Sequence, residues 1–154
     1  MPNEIEQLIQ DWERAKLGIE AYLDAMPEDK YDFRPVPDVL SFAGHFLHVA
    51  HANYMFAAGV GATSPLKDEP AEKNPDLQSK ASVREYTLAS YDFLLNAIKT
   101  LDPASLGEEV PLFRWTMPRR VVLAKALEHQ VHHSGQAVVY IRLQGVKPPN
   151  ERLF

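Results

Sequence analysis

An all-α four-helix bundle is the fold this sequence predicts, and three observations predict it. Apolar residues recur at helical spacing in four separate stretches. Loops bearing proline or glycine separate the stretches. A chain of 154 residues without internal repeats or low-complexity segments is long enough to bury one core, so residues 1–154 read as a single domain.

Residues 3–26 carry Ile5, Leu8, Ile9, Trp12, Ala15, Ile19, Tyr22, Leu23 and Met26 on one helical stripe. Asn3 followed by Glu6 has the spacing of a capping box, which fixes the start. The stretch "PEDKYDFRPVPDV" ends this helix, because its three prolines cannot continue one. A second helix is expected from near Ser41 to about Ala58, with Gly59 and Gly61 as its stop. The third is expected to open at "SVRE", where Ser82 and Glu85 again fit a capping box. It carries Val83, Tyr86, Tyr91, Leu94, Leu95, Ile98 and Leu101. The fourth is expected to begin near Pro118 and to run to about Leu143, ended by Gly145, Pro148 and Pro149.

Two loops are long. The connection from Gly59 to Ala81 exceeds what antiparallel neighbours need and suits a crossover between parallel helices, so the expected topology is up-down-down-up. The loop from Asp102 to Met117 contains "VPLFRW", apolar enough to lie on the bundle.

Composition narrows the function. The absence of cysteine excludes disulfides, thiolate metal sites and a thiol nucleophile on the protein itself. A formal charge of -5 and the lack of a basic stripe with interleaved aromatics disfavour nucleic acid as a partner. "RWTMPRR" is the densest basic stretch and reads as a solvated helix end. The N-terminal stretch is charged and amphipathic, and no apolar run approaches the roughly 18 residues of a membrane span. The expectation is a soluble, cytoplasmic protein without a membrane partner.

All six histidines fall in two clusters, "GHFLHVAH" (residues 44–51) and "EHQVHHSGQ" (residues 128–136). His129 and His133 are one helical turn apart on one face, where two imidazoles can converge on one ion. His132 lies roughly 80° away round the helix and reads as a rim residue. A third ligand must come from His45, His48 or His51. Helical geometry narrowly favours His45 or His48 over His51, since the apolar stripe of Phe42, Phe46, Val49, Phe56 and Ala57 lies nearest His45. Such a pair is also what surface or hydrogen-bonded core histidines look like. "HQVHH" has the spacing of the metalloprotease HExxH, but Gln130 stands where that mechanism needs a glutamate base. The di-iron bundle pattern, which needs two Glu-x-x-His helices, is absent as well.

Two stretches resemble the DinB/YfiT-like superfamily of small four-helix bundles. They are "YDFRPVPDVLSFAGHFLHVAHANYMF" and "MPRRVVLAKALEHQVHHSGQAVVYIRLQGVKPP", the latter similar to the family's HxxxHRGQ helix. The resemblance implies metal ligands at His48, His129 and His133, with zinc or nickel as the ion, and makes His45 a residue that backs the ligands or lines the pocket. It also implies a homodimer. Ser134 departs from the family's arginine at that position, so a role of that arginine in anion binding or in holding a dimer does not carry over with the resemblance.

Three neutral histidines leave an ion with open positions, the arrangement of catalytic zinc sites. With no cysteine in the chain, a thiol must arrive as a small-molecule cosubstrate. The expected function is therefore a metal-dependent enzyme, a low-molecular-weight thiol S-transferase or a hydrolase, as the resemblance implies. Gln136 and Tyr140 follow His133 along the helix and are candidates to orient a ligand, and Phe113 and Trp115 to wall a pocket. Arg142 is a candidate for a substrate anion. Two readings compete: a non-enzymatic stress-response or binding module whose metal is structural or absent, and a metal-free dimer whose histidines respond to pH.

Overall fold

Four helices dominate the computed structural model, which describes residues 3–66 and 69–154. They are α1 (Glu4–Ala25), α2 (Phe42–Gly59), α3 (Lys80–Lys99) and α4 (Arg119–Leu143). The capping box at the start of α1 is present, with the Asn3 side chain accepting from the Glu6 amide and the Glu6 carboxylate accepting from the Asn3 amide. Ser41 caps α2 by accepting from the Gly44 amide at 3.0 Å. The third helix starts earlier than expected. Ser79, not Ser82, is its cap, and Ser82 instead donates its hydroxyl to the Ser79 carbonyl. Two serines three residues apart both match the capping pattern, and the earlier one wins because it adds nearly a turn of paired backbone.

Residue pairings fix the directions. On α1 and α3, Asp24 meets Lys80 and Arg84 while Trp12 meets Tyr91 and Glu13 meets Lys99, so these helices run antiparallel. On α2 and α4, His45 meets Tyr140, His48 meets His129, and Gly59 approaches Val122, again antiparallel. Between α2 and α3, the Phe46 carbonyl meets Thr87 and Asn53 meets Ser90, so α2 and α3 run parallel. The topology is up-down-down-up, and the segment from Val60 to Ser79 is the crossover that two parallel neighbours require. The core at the centre holds Trp12, Phe42, Phe46, Leu47, Tyr91 and Leu123, all fully buried. No helix among the described residues is long and apolar enough to cross a membrane.

The "VPLFRW" loop does lie on the bundle, but as a hairpin. Strands β1 (Glu109–Leu112) and β2 (Trp115–Pro118) pair antiparallel, with Leu112 opposite Trp115. Val110 and Leu112 point inward and are buried, while Phe113 and Trp115 face solvent at 68% and 56% exposure.

Candidate metal centre

The antiparallel pairing of α2 with α4 brings the two histidine clusters face to face. His48, His129 and His133 each offer a ring nitrogen, and these nitrogens all lie within 4.8 Å of one another. Ring centroids are 4.6 Å apart for His129 and His133, 4.7 Å for His48 and His133, and 5.1 Å for His48 and His129. The Nε2 atoms of His48 and His129 are 3.3 Å apart. Two nitrogens on a tetrahedral ion at about 2.0–2.1 Å are separated by about 3.3–3.4 Å, so this pair already spans one edge of such a site. The residues present fit a divalent ion.

His45 is not in this set. It is 2% exposed, one turn deeper than His48. Its Nδ1 lies 3.1 Å from Nδ1 of His133, and its Nε2 lies 3.2 Å from the Tyr140 hydroxyl. That hydroxyl donates its only hydrogen to the Leu40 carbonyl, at 3.1 Å. It must therefore accept from His45 Nε2–H. A neutral His45 then has a bare Nδ1, which accepts from His133 Nδ1–H. The chain of bonds leaves Nε2 of His133 unprotonated, as a ligand must be. His45 and Tyr140, expected from the sequence as backing or pocket residues, thus set the tautomer of His133.

A second hydrogen bond acts on His48. Glu72, on the crossover, places Oε1 at 3.1 Å from His48 Nδ1. Nothing in the sequence singled out Glu72. "AEKNP" reads as solvated loop, and only the fold buries this carboxylate to 16% side-chain exposure.

Burial holds the His45 and His129 imidazoles down at about 4, and His133 down at about 3, with the neighbouring histidines adding to the effect. All three are neutral at pH 7, and no proton has to be displaced for a nitrogen to act as ligand. Access remains open, since the His48 side chain is 36% exposed.

Other expected site residues lie elsewhere. The Gln136 amide bonds Nε2 of His132 at 3.1 Å on the outer side of α4, so it orients the rim histidine and not the convergent group. Trp115 lies under the Arg114 guanidinium, 4.9 Å from its ring centre, and does not wall the site. Exposed Phe113 does not wall it either. Gln130 turns into the core and accepts from the Tyr91 hydroxyl at 3.0 Å. The position of a metalloprotease base is thus structural here. Ser134 and Arg142 line a separate groove of about 700 Å³, shared by α1, α4 and the C-terminal segment, which none of the three convergent histidines lines.

The class of protein that this topology and histidine set define is confirmed by comparison. The profile of the DinB superfamily matches residues 11–137. The chain belongs to that superfamily. Its sequence is 27% identical over 127 residues to the uncharacterized protein YjoA of Bacillus subtilis (strain 168), covering 79% of each. A DinB-like protein from Bacillus cereus ATCC 10987 superposes with a TM-score of 0.84 at 20% identity, covering 97% of this chain and 99% of that one. The crystal structure of YjoA superposes with a TM-score of 0.76, also at 20% identity, covering 95% and 98%.

Proposed function

We propose that this chain is a metal-dependent enzyme in which His48, His129 and His133 hold one divalent ion, zinc or nickel, and a small-molecule substrate reaches the ion from the open side of His48. The convergence of the His48, His129 and His133 imidazoles on one point carries this reading. When bound, such an ion supplies Lewis-acid chemistry, turning a water or an incoming thiol into a nucleophile at neutral pH. His45, Tyr140 and Leu40 hold the His133 proton on Nδ1, and Glu72 holds the His48 proton on Nδ1. The reaction is transfer to a low-molecular-weight thiol or hydrolysis, the thiol being external because the chain has no cysteine. The protein works in the cytoplasm and as a homodimer, and exposed Leu17, Val131, Val139 and Leu143 on α1 and α4 support the second of these.

One observation favours a second reading. The groove of about 700 Å³ lies away from the histidines, which suits a binding module whose ion is structural. Elemental mass spectrometry on tag-free protein separates the two. About one ion per chain, lost in His48→Ala and in His133→Ala but retained in His45→Ala, supports the site. Turnover by the loaded protein with thiol–electrophile pairs or with ester and amide panels then supports the enzyme. No ion after incubation with zinc or nickel hands the conclusion to the binding module.

A further inference from the structure

We propose that Glu72 is the positioning residue of His48, through which the α2–α3 crossover is latched to the metal site. The inference rests on the proposed ion.

The crossover holds Glu72 firmly. It sits in a single 3-10 turn, Ala71–Lys73, closed by Lys73 N–H to Pro70 carbonyl at 3.0 Å and Asn74 N–H to Ala71 carbonyl at 3.1 Å. Ala71 is buried against the core. The Gln78 side-chain amide donates to the Glu72 and Asn74 carbonyls at 3.4 and 2.7 Å, tying the turn to the start of α3. A loop carboxylate with no task extends into water. This one turns inward, places Oε1 on His48, and leaves Oε2 buried without a partner. Nδ1 of His51, one turn further along α2, is likewise buried and unpartnered. One hydrogen bond to an imidazole nitrogen offsets only part of the hydration that a buried carboxylate loses. A cation on the far nitrogen of His48 changes the balance. It would polarise the ring, make Nδ1–H a stronger donor, and set a positive charge opposite the carboxylate. The same bond fixes the ligand atom: with Nδ1 carrying the proton, Nε2 of His48 is bare and faces Nε2 of His129 at 3.3 Å.

The test uses the full chain as wild type, Glu72→Gln and Glu72→Ala, with retained helical circular dichroism as the folding control. Zinc affinity by competition with a chelating dye is expected to fall about 10–100-fold in Glu72→Ala. In Glu72→Gln, whose amide oxygen still accepts from Nδ1–H, the loss is smaller. The cobalt-substituted absorption bands should keep their position in both variants, because Glu72 acts through His48 and not on the ion. Nitrogen NMR of the metal-free protein gives an independent readout: His48 is protonated at Nδ1 in wild type and mixes tautomers in Glu72→Ala. Unchanged affinity together with an unchanged His48 tautomer overturns the proposal. So do cobalt bands that move with the Gln variant, which would make Glu72 a ligand. If wild type binds no ion, the functional reading and this inference both fall. If it binds one and the Glu72 variants match it, only this inference does.

Discussion

Tyr140→Phe removes one oxygen and leaves the packing. The ring keeps its edge contacts with Phe33 and His45, at 5.8 and 5.3 Å between centroids. What goes is the hydroxyl that accepts from His45 Nε2–H at 3.2 Å and donates to the Leu40 carbonyl at 3.1 Å. Leu40 is half-buried and its carbonyl can take a water, so that loss costs at most about 1 kcal/mol. His45 is 2% exposed, and an N–H left without a partner there costs about 1–3 kcal/mol. The sum is about 1–4 kcal/mol. In a domain of this size that lowers Tm by about 2–16 °C. Urea unfolding at pH 7.5 with chelator present should show a lower midpoint with an unchanged slope. A second consequence follows from the tautomers. His45 can relieve its orphaned Nε2–H by moving the proton to Nδ1. That proton then faces His133 Nδ1, which must give up its own and carry it on Nε2 instead. A protonated Nε2 cannot bind an ion, so the variant should also bind zinc about tenfold more weakly. Stability within about 0.5 kcal/mol of wild type, with zinc affinity unchanged, would refute the bond chain from Leu40 to His133.

The metal-free protein should be acid-sensitive in a defined window. Burial, then neighbouring histidines, depress His45, His129 and His133 from 6.5 to about 4, 4 and 3 in the folded state. The unfolded chain therefore binds more protons below pH 6.5, and the stability present above 6.5 is lost progressively as pH falls toward 4 and 3. Urea midpoints measured across pH 4–8 should drop in that range and drop less in His129→Asn; a profile as steep in the variant as in wild type would count against the neutral cluster. The cap of α3 gives a purely structural test. Ser79→Ala should cost about 1 kcal/mol, whereas Ser82→Ala, which removes no accepted amide, should stay within about 0.5 kcal/mol, as read from chemical denaturation. Equal costs would return the start of α3 to Ser82.

Local signals carried most of the fold. The apolar stripes and the Asn3–Glu6 pair state where α1 lies, and a crossover as long as that from Val60 to Ser79 states that α2 and α3 run parallel. The hairpin was not legible, because its two-residue turn lacks the usual signal. Phe113 takes the left-handed φ of 54°, where glycine or asparagine is ordinarily found. Only the burial of Val110 and Leu112 on the bundle makes the pairing worthwhile, and that is a tertiary effect. Gln136 and Trp115 qualify as site candidates only by their place in the sequence, which does not say which way a side chain turns. Glu72 could not be found at all, since a carboxylate in a polar loop gives no sign that the loop will fold back over α2.

The choice between His45 and His48 shows where the helical wheel misleads. The wheel ranks residues by distance from the apolar stripe, and it leans to His45. His45 is indeed the more buried, at 2% exposure against 36% for the His48 side chain. Yet a ligand of a reactive ion must do two things. Its nitrogen must meet the others, and its outer edge must leave room for a substrate. The residue at the middle of the stripe satisfies the core and closes that room. The residue at the edge of the stripe keeps one side in the bundle and one side open. Depth suits His45 to a different task, holding the proton of His133 within a bond chain shielded from water. Burial thus sorts the two histidines into a backing residue and a convergent one, and the sorting runs opposite to the wheel's ranking.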